Sequence, residues 1–351
     1  MPTRISGPLA TQNASALLNP GGPRVGLLQA GRKHWPRRNS KHYQKDKSMH
    51  EQLTTEREIQ PAADAVATCR MPRLVPGGEP LRELDVAIDE QSAVVFCRFR
   101  FTDRPCFTPE LLGELRRVRG LLAEQAQQDP TRVRYLVLGS AIPGIFNLGG
   151  DLKLFTDLIR RGDRDALGRY ARACVAEIHA NAVSFDLPIT TVSLVQGDAL
   201  GGGFEAALSS NVLIAERSAK FGLPEVMFNL FPGMGAYNFL ARRTDPATAE
   251  RMILSGRIYT AAELHTMGIV DVLAEDGCGE AALAEYVRTN RNRLAALQAV
   301  HRTRRIVSPV TLETLHAVTD LWVETALSLR ATDLRMMERL IAAQQRRSRH
   351  S

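Results

Sequence analysis

The amino-acid sequence predicts an α/β fold in which strands and helices alternate from about residue 80 onward. Short, almost wholly apolar runs such as 134–140 are typical of buried strands, and several lead through a loop into a helix-like segment. The chain of 351 residues is 44% hydrophobic and 24% charged, which is the composition of a globular protein. This composition excludes a fibrous or wholly disordered chain.

The predicted elements begin with a hairpin, because the apolar runs at 81–89 and 93–101 flank a polar break at 90–92. Thr108 followed by Pro109 is typical of a helix start, and Asp129 followed by Pro130 of its end. In chain order, we expect strands at 81–89 and 93–101, a helix at 109–127, a strand at 134–140, a loop at 141–150, helices from 151 and over 165–183, a strand at 189–197, a glycine loop at 198–203, a helix at 204–210, strands at 212–216 and 219–222, and helices at 246–254, 261–267, 279–303 and 309–345.

Positive charge is concentrated near the N-terminus. Residues 1–60 carry ten basic and four acidic residues, and this excess of six nearly accounts for the net charge of +7. Because this segment has no sustained apolar period, we expect residues 1–75 to form a basic, mostly disordered arm. A solvated tail and an arm that contacts an acidic protein or a polyanion are the alternatives. Residues 76–270 are predicted to form the α/β core and residues 271–351 a helical C-terminal region.

Several classes of protein are excluded. No apolar run approaches the roughly 18 residues of a membrane-spanning helix, and no signal peptide is evident, so we expect a soluble cytoplasmic protein without a membrane partner. The five cysteines lie far apart without a CxxC pair, which argues against a zinc site or a disulfide framework. We expect no metal, no other cofactor and no nucleic-acid partner.

Two glycine-rich loops, in NLGGDL and DALGGGFE, each follow a predicted strand and precede a helix. Free backbone N–H groups and a helix N-terminus then face one spot, where they can hold negative charge. DALGGGFE lacks both GxGxxG and GK[ST], so nucleotide binding finds no support. The alternative is that the glycines only permit tight turns.

Two glutamates stand close to these loops. Glu205 lies within the first turn of the helix after the GGG loop, where its carboxylate can lie beside the N–H groups of that loop. Glu225 follows a strand and a proline in otherwise apolar surroundings. Carboxyl groups in an apolar pocket have raised pKa values, and two neighbouring ones suit acid and base chemistry near neutral pH. The alternative role for a glutamate at a helix start is capping.

The segments FNLGGDLKLF, VQGDALGGGFEAAL and AKFGLPEVMFNLFPGMGA resemble the crotonase (enoyl-CoA hydratase/isomerase) superfamily, over roughly residues 80–345. The resemblance implies a ClpP/crotonase-like spiral of ββα repeats with a helical C-terminal region that takes part in trimerisation, as a homotrimer or a dimer of trimers. It also implies a thioester carbonyl held by the backbone N–H groups of Gly150 and Gly202. The catalytic carboxylates of the hydratase subgroup fall on Glu205 and Glu225.

Within that superfamily, FNLGGDL, GDALGGGFEAALSSNVLIAE and the terminal MERLIAAQ resemble the diffusible-signal-factor synthases of bacterial quorum sensing. Such enzymes make cis-2-unsaturated fatty acids from 3-hydroxyacyl thioesters on acyl carrier protein and also cleave the thioester. A housekeeping enoyl-CoA hydratase acting on CoA thioesters is the alternative enzyme. A mainly regulatory protein, bound by the receiver domain of a sensor kinase, is the alternative from another class, although retention of both glutamates argues against it.

Other side chains are expected to have capping, structural or acyl-binding roles. Asp151 is expected to cap the helix that follows the first glycine loop. His179, His265, His301 and His316 are expected to be structural or surface groups. Eight apolar residues are candidates for an acyl-binding tunnel, with core packing as the alternative: Phe146, Leu148, Met227, Phe228, Leu230, Phe231, Met234 and Trp322.

Overall fold

A computed structural model describes residues 80–348 of the chain. The ten strands of this part are β1 (Leu84–Asp89), β2 (Val94–Phe99), β3 (Tyr135–Ser140), β4 (Gly144–Asn147), β5 (Thr190–Val195), β6 (Gly197–Leu200), β7 (Val212–Glu216), β8 (Lys220–Gly222), β9 (Ile258–Thr260) and β10 (Val272–Ala274). Its eleven α-helices are α1 (Pro109–Gln128), α2 (Leu152–Arg161), α3 (Arg164–Ala182), α4 (Gly202–Ser209), α5 (Ala236–Arg243), α6 (Pro246–Ser255), α7 (Ala261–Thr266), α8 (Gly279–Asn290), α9 (Leu294–Val307), α10 (Leu312–Leu327) and α11 (Ala331–Ser348).

The strands form two sheets. The larger sheet has the order β1-β2-β3-β5-β7-β10, in which β1 and β2 form an antiparallel hairpin and the other neighbours are parallel. The smaller sheet has the order β4-β6-β8-β9, with a parallel β4-β6-β8 part. Because β3, β5 and β7 are each followed directly by a strand of the smaller sheet, the chain repeats a strand-strand unit that places the loops after β4 and β6 side by side.

Both faces of the larger sheet are buried, which explains why its central strands are continuously apolar. On one face, side chains of β2, β3, β5 and β7 pack against Leu283 of α8. The opposite face belongs to the main core, to which α1 contributes Leu111 and α3 contributes Val175. Helix α3 also packs against α10, so the C-terminal region closes over the core.

Local sequence signals account for the helix boundaries. Thr108 caps α1 through its hydroxyl, which accepts a hydrogen bond from the Leu111 N–H at 3.1 Å, and Pro109 occupies the first turn. Asp151 caps α2 by accepting from the Leu154 N–H at 3.0 Å, which confirms the predicted capping role. No helix among the described residues is long and apolar enough to cross a membrane.

The structure corrects several predicted elements. The predicted loop at 141–150 contains the four-residue strand β4. The four-residue strand β6 begins at the last residue of the predicted strand at 189–197 and extends into the predicted glycine loop, and β9 and β10 were not predicted. These strands are too short to show a period. Helix α5 was also missed, the predicted helix at 279–303 is interrupted at 291–293, and the predicted helix at 309–345 is two helices separated at 328–330.

The basic arm at 1–75 lies outside the described residues, as does the C-terminal end after Ser348. The boundary predicted at residue 75 therefore stays a prediction, and so does the boundary predicted at residue 270. Of the five cysteines, Cys97, Cys106 and Cys174 are buried thiols and Cys278 is an exposed thiol; none of these four forms a disulfide.

Candidate active site

Strand pairing brings the two glycine loops together. Strands β4 and β6 run parallel, and Asn147 near the end of one lies opposite Ala199 of the other. Three residues beyond this pair, the chain reaches Gly150 on one side and Gly202 on the other. The shared register therefore places the two predicted oxyanion glycines at the same level of the sheet edge.

Close approach of the two loops requires glycine. A Cβ atom on Gly149, whose φ is +100°, would lie 2.9 Å from the Gly202 nitrogen. A Cβ atom on Gly202 would lie 3.4 Å from the Gly150 nitrogen and 2.6 Å from Met234 Sδ. Gly202 is also the first residue of α4, so its N–H precedes the first intrahelical hydrogen bond. The geometry thus brings two backbone donors together at one site.

Glu205 lies one turn into α4 and is 1% exposed. Its Oε1 accepts hydrogen bonds from the Met234 N–H at 2.7 Å and the Ala236 N–H at 2.9 Å. These hydrogen-bond partners belong to the later PGMGA segment, a contact that the sequence did not predict. Burial raises the pKa of Glu205, and the two N–H bonds oppose that shift.

Glu225 lies in a 3₁₀ turn, Pro224–Phe228, and faces the second glycine loop. A Cβ atom on Gly201, whose φ is +52°, would lie 2.8 Å from Glu225 Oε1 and would displace this carboxyl group. Glu225 is half-buried, but its Oε2 is shielded from solvent and has no hydrogen-bond partner among the described residues. Burial, followed by the negative charge of Glu205, raises the pKa of Glu225.

The two carboxyl groups have unequal environments, so they differ in their affinity for one shared proton. Glu205 accepts two N–H bonds that stabilise its ionised form, whereas the ionised form of Glu225 is favoured by one hydrogen bond, from its own backbone, and its Oε2 accepts none. With one proton between them, Glu225 is therefore the preferred carrier and Glu205 the preferred anion. A protonated and an ionised carboxyl beside two N–H donors can act as acid, base and oxyanion site.

The pH dependence of turnover follows from this pair. Because both pKa values are raised above the ordinary glutamate value of 4.5, we expect the singly protonated, active pair to be lost on the acid side at a pH well above 4.5. A second loss is expected at higher pH, where both groups ionise. A pH profile of kcat/KM tests this, and an activity that stays constant down to pH 4.5 would contradict it.

A mainly apolar cavity of about 290 Å³ adjoins these groups. Its wall contains Gly150, Gly202, Glu205 and Glu225. Six of the eight predicted acyl-tunnel residues also line it: Leu148, Met227, Phe228, Leu230, Met234 and Trp322.

Phe146 and Phe231 do not line the cavity. Phe146 is fully buried and packs edge-to-face against Phe99, with 5.5 Å between the ring centroids. A β-bulge between Ile145 and Asn147 falls at Phe146. Phe231 is half-buried and packs against the main core. Both are packing residues, the alternative that the sequence left open.

Sequence reasoning missed the wall contributed by the helices after the first glycine loop. Phe155 of α2, Tyr170 and Cys174 of α3, and Leu340 of α11 line the cavity beside Trp322. Their spacing is that of ordinary helix faces packed on a core, so no sequence signal separates them from core residues. None of His179, His265, His301 and His316 lines the cavity, and no group of metal-binding side chains occurs among the described residues.

Comparison with known proteins identifies the family. The profile described as enoyl-CoA hydratase/isomerase matches residues 97–336. A mitochondrial methylglutaconyl-CoA hydratase of Rattus norvegicus is 30% identical over 205 residues, which cover 58% of this chain and 62% of that protein. A probable enoyl-CoA hydratase, echA8, of Mycobacterium leprae is 35% identical over 191 residues, covering 52% of this chain and 68% of that protein. The chain thus spans less than two thirds of the rat hydratase.

Solved structures with low sequence identity share the fold. Human mitochondrial delta3-delta2-enoyl-CoA isomerase superimposes with a TM-score of 0.64 at 20% identity, covering 76% of this chain and 99% of that one. Pseudomonas aeruginosa DspI superimposes with a TM-score of 0.54 at 23% identity, covering 66% of this chain and 90% of that one. The predicted α/β crotonase fold is therefore confirmed, and the chain belongs to the enoyl-CoA hydratase/isomerase family.

Proposed function

We propose that the protein is a diffusible-signal-factor synthase, which dehydrates 3-hydroxyacyl thioesters and releases the free cis-2-enoic acid. The observation that carries the proposal is the convergence of Gly150, Gly202, Glu205 and Glu225 on one mainly apolar cavity. The cavity supplies an apolar wall for an acyl chain, and the four polar groups supply the chemistry. Resemblance of FNLGGDL and its companion segments to the signal synthases favours this member of the family.

Dehydration requires an enolate-like transition state. When the α proton leaves, negative charge develops on the thioester oxygen, and the N–H groups of Gly150 and Gly202 stabilise it. Glu225 takes the α proton as the C–H bond breaks. Glu205 gives a proton to the 3-hydroxyl, the C–O bond breaks, and water leaves as the C=C bond forms. Thioester cleavage then uses the same oxyanion site: one carboxylate takes a proton from a water molecule as its oxygen bonds to the carbonyl carbon, and the C–S bond breaks as the carrier thiol leaves with a proton from the other carboxyl group.

The direction of the reaction depends on which of the two carboxyl groups holds the shared proton before substrate binds. Glu225 as proton carrier and Glu205 as anion suit addition of water, in which Glu205 activates the water and Glu225 protonates the α carbon. Dehydration needs the reverse arrangement, so the proton must transfer to Glu205 when the hydroxyacyl thioester binds. Displacement of solvent by the bound substrate changes the surroundings of both carboxyl groups.

The carrier and the partners are further parts of the proposal. Resemblance to the signal synthases supports acyl carrier protein as the carrier and a sensor-kinase receiver domain as a regulatory partner. The family and its CoA-hydratase relatives support a CoA thioester instead. We also propose a cytoplasmic homotrimer, or a dimer of trimers, from the same resemblance.

A housekeeping enoyl-CoA hydratase is the second candidate. It is favoured by the similarity to proteins described as CoA hydratases and by the presence of both glutamates. The two candidates differ in their products. A signal synthase releases a free cis-2-enoic acid, whereas a hydratase interconverts trans-2-enoyl-CoA and 3-hydroxyacyl-CoA while the thioester stays intact.

Mass spectrometry of products separates these candidates. The purified full chain is incubated with medium-chain 3-hydroxyacyl groups carried by acyl carrier protein or by CoA, and a Glu205→Gln/Glu225→Gln variant serves as the inactive control. We expect free cis-2-enoic acid from the active protein only. Reversible hydration of trans-2-enoyl-CoA without free acid would establish the housekeeping activity. No turnover of any thioester would favour the regulatory alternative.

A further inference from the structure

We infer that Tyr170 is a positioning residue that holds the Gly150 N–H donor in its productive orientation. This inference rests on the proposed function, in which that N–H stabilises the developing oxyanion. Tyr170 lies on α3 and is 7% exposed, and its ring lines the active-site cavity. Its hydroxyl group makes two contacts with backbone groups on either side of the glycine loop.

The first contact joins Tyr170 to the loop itself. Its hydroxyl oxygen accepts a hydrogen bond from the Asp151 N–H at 3.0 Å. Asp151 follows Gly150, so the peptide group on the C-terminal side of Gly150 is fixed by this bond. The second contact joins the same hydroxyl, as donor, to the Phe107 carbonyl oxygen. Tyr170 therefore bridges the loop to the backbone of Phe107.

Phe107 fixes the other side of Gly150. Its N–H donates to the Gly149 carbonyl oxygen at 2.8 Å. In a planar trans peptide group, the C=O and the following N–H point in opposite directions. Because the Gly149 carbonyl points toward Phe107, the Gly150 N–H points away from Phe107. The three hydrogen bonds form a closed ring that fixes both peptide groups around Gly150.

Among residues 80–348, no side chain holds the second oxyanion donor in a comparable way. The Gly201 N–H donates to the Gly222 carbonyl oxygen at 2.8 Å, and the Gly201 carbonyl accepts from the Phe204 N–H at 2.9 Å and the Glu205 N–H at 3.1 Å. The peptide group that carries the Gly202 N–H is thus held by backbone N–H groups of α4, and the preceding peptide group is held by Gly222 of β8. The Gly149–Gly150 peptide group is bonded directly to the Phe107 backbone, and Phe107 and the following peptide group are in turn bonded to the Tyr170 hydroxyl, so removal of that hydroxyl should affect the Gly150 donor and spare the Gly202 donor.

Tyr170→Phe is the direct test, and Tyr135→Phe is a matched control. Tyr135 is 2% exposed, and its hydroxyl has no hydrogen-bond partner among the described residues. Each variant removes one buried hydroxyl and keeps the ring. We expect Tyr170→Phe to lower kcat by about 10- to 100-fold with little change in KM. A displaced N–H donor loses only part of the transition-state stabilisation that is lost when a donor is deleted. Tyr135→Phe is expected to retain the wild-type kcat.

A spectroscopic measurement distinguishes positioning from a general loss of structure. Raman spectroscopy of a bound enoyl thioester reports polarisation of its carbonyl, and we expect the wild-type shift to diminish in Tyr170→Phe and persist in Tyr135→Phe. A thioether analogue, which lacks the carbonyl, should bind Tyr170→Phe as it binds the wild type. An unchanged carbonyl shift in Tyr170→Phe would overturn the inference, as would equal weakening of thioether binding and kcat. By contrast, a wild-type protein that neither polarises nor converts a thioester would overturn the proposed function itself.

Discussion

Glu225→Gln is expected to lower kcat for a thioester substrate by about 10²- to 10⁴-fold, the usual contribution of a general acid or base. The amide keeps the size of the side chain but cannot exchange the α proton. The fold should survive, because Glu225 Oε2 makes no hydrogen bond that the amide would break. Steady-state rates and circular dichroism of the variant test both statements.

Glu205→Gln is expected to cause a loss of similar size, since the amide oxygen can still accept from the N–H groups of Met234 and Ala236. Glu177→Gln is the matched control. Glu177 is also buried, and burial likewise raises its pKa, but it pairs with Arg119 and does not line the active-site cavity. Its variant should keep the wild-type kcat. Near-wild-type rates for Glu205→Gln or Glu225→Gln would remove that residue from the mechanism.

Gly203→Ala is expected to prevent stable folding. A Cβ atom at this position would lie 2.0 Å from the Asn147 carbonyl oxygen and 2.6 Å from its carbonyl carbon. Both atoms belong to the backbone of β4, so relief requires α4 to separate from the strand that leads to Gly150. We expect a loss of about 4 kcal/mol or more in the free energy of unfolding, at the extreme of single substitutions.

Thermal unfolding and soluble yield measure this effect, with Gly113→Ala as the control. Gly113 lies within α1, and no neighbouring atom is within 4 Å of a Cβ placed there. Alanine at that position should stabilise the protein by up to about 1 kcal/mol through helix propensity. A Gly203→Ala protein that unfolds at the wild-type temperature would show that β4 and α4 separate without cost.

Much of the fold is predictable from the sequence, because its longer elements have strong local signals. The hairpin of β1 and β2 is encoded by two apolar runs and a polar break, and α1 by Thr108 and its proline. Strands β4 and β6 escape prediction because each has four residues and lies inside a glycine-rich segment. Their pairing arises from non-local contacts, which local periodicity in the sequence does not reveal.

The candidate site could likewise be predicted from the sequence only in part. Its glycines and glutamates are recognisable because they lie in three short segments that resemble a known family. The hydrogen bonds from Met234 and Ala236 to Glu205 join residues about thirty positions apart, and no local pattern encodes them. Tyr170 is equally hidden, since a buried tyrosine on a helix face looks the same in sequence whether or not its hydroxyl bridges two backbone groups.

The two donors at Gly150 and Gly202 are backbone groups placed by the pairing of β4 with β6, and this has an evolutionary consequence. Substitution of most surrounding side chains leaves a backbone donor in place, so the proposed oxyanion site tolerates sequence drift except where a side chain replaces a glycine or where the Tyr170 hydroxyl is lost. The carboxyl groups at 205 and 225 have no such protection, because a single substitution removes either. New reactions in such a scaffold should therefore arise by exchange of the acid and base residues around an inherited carbonyl-binding site.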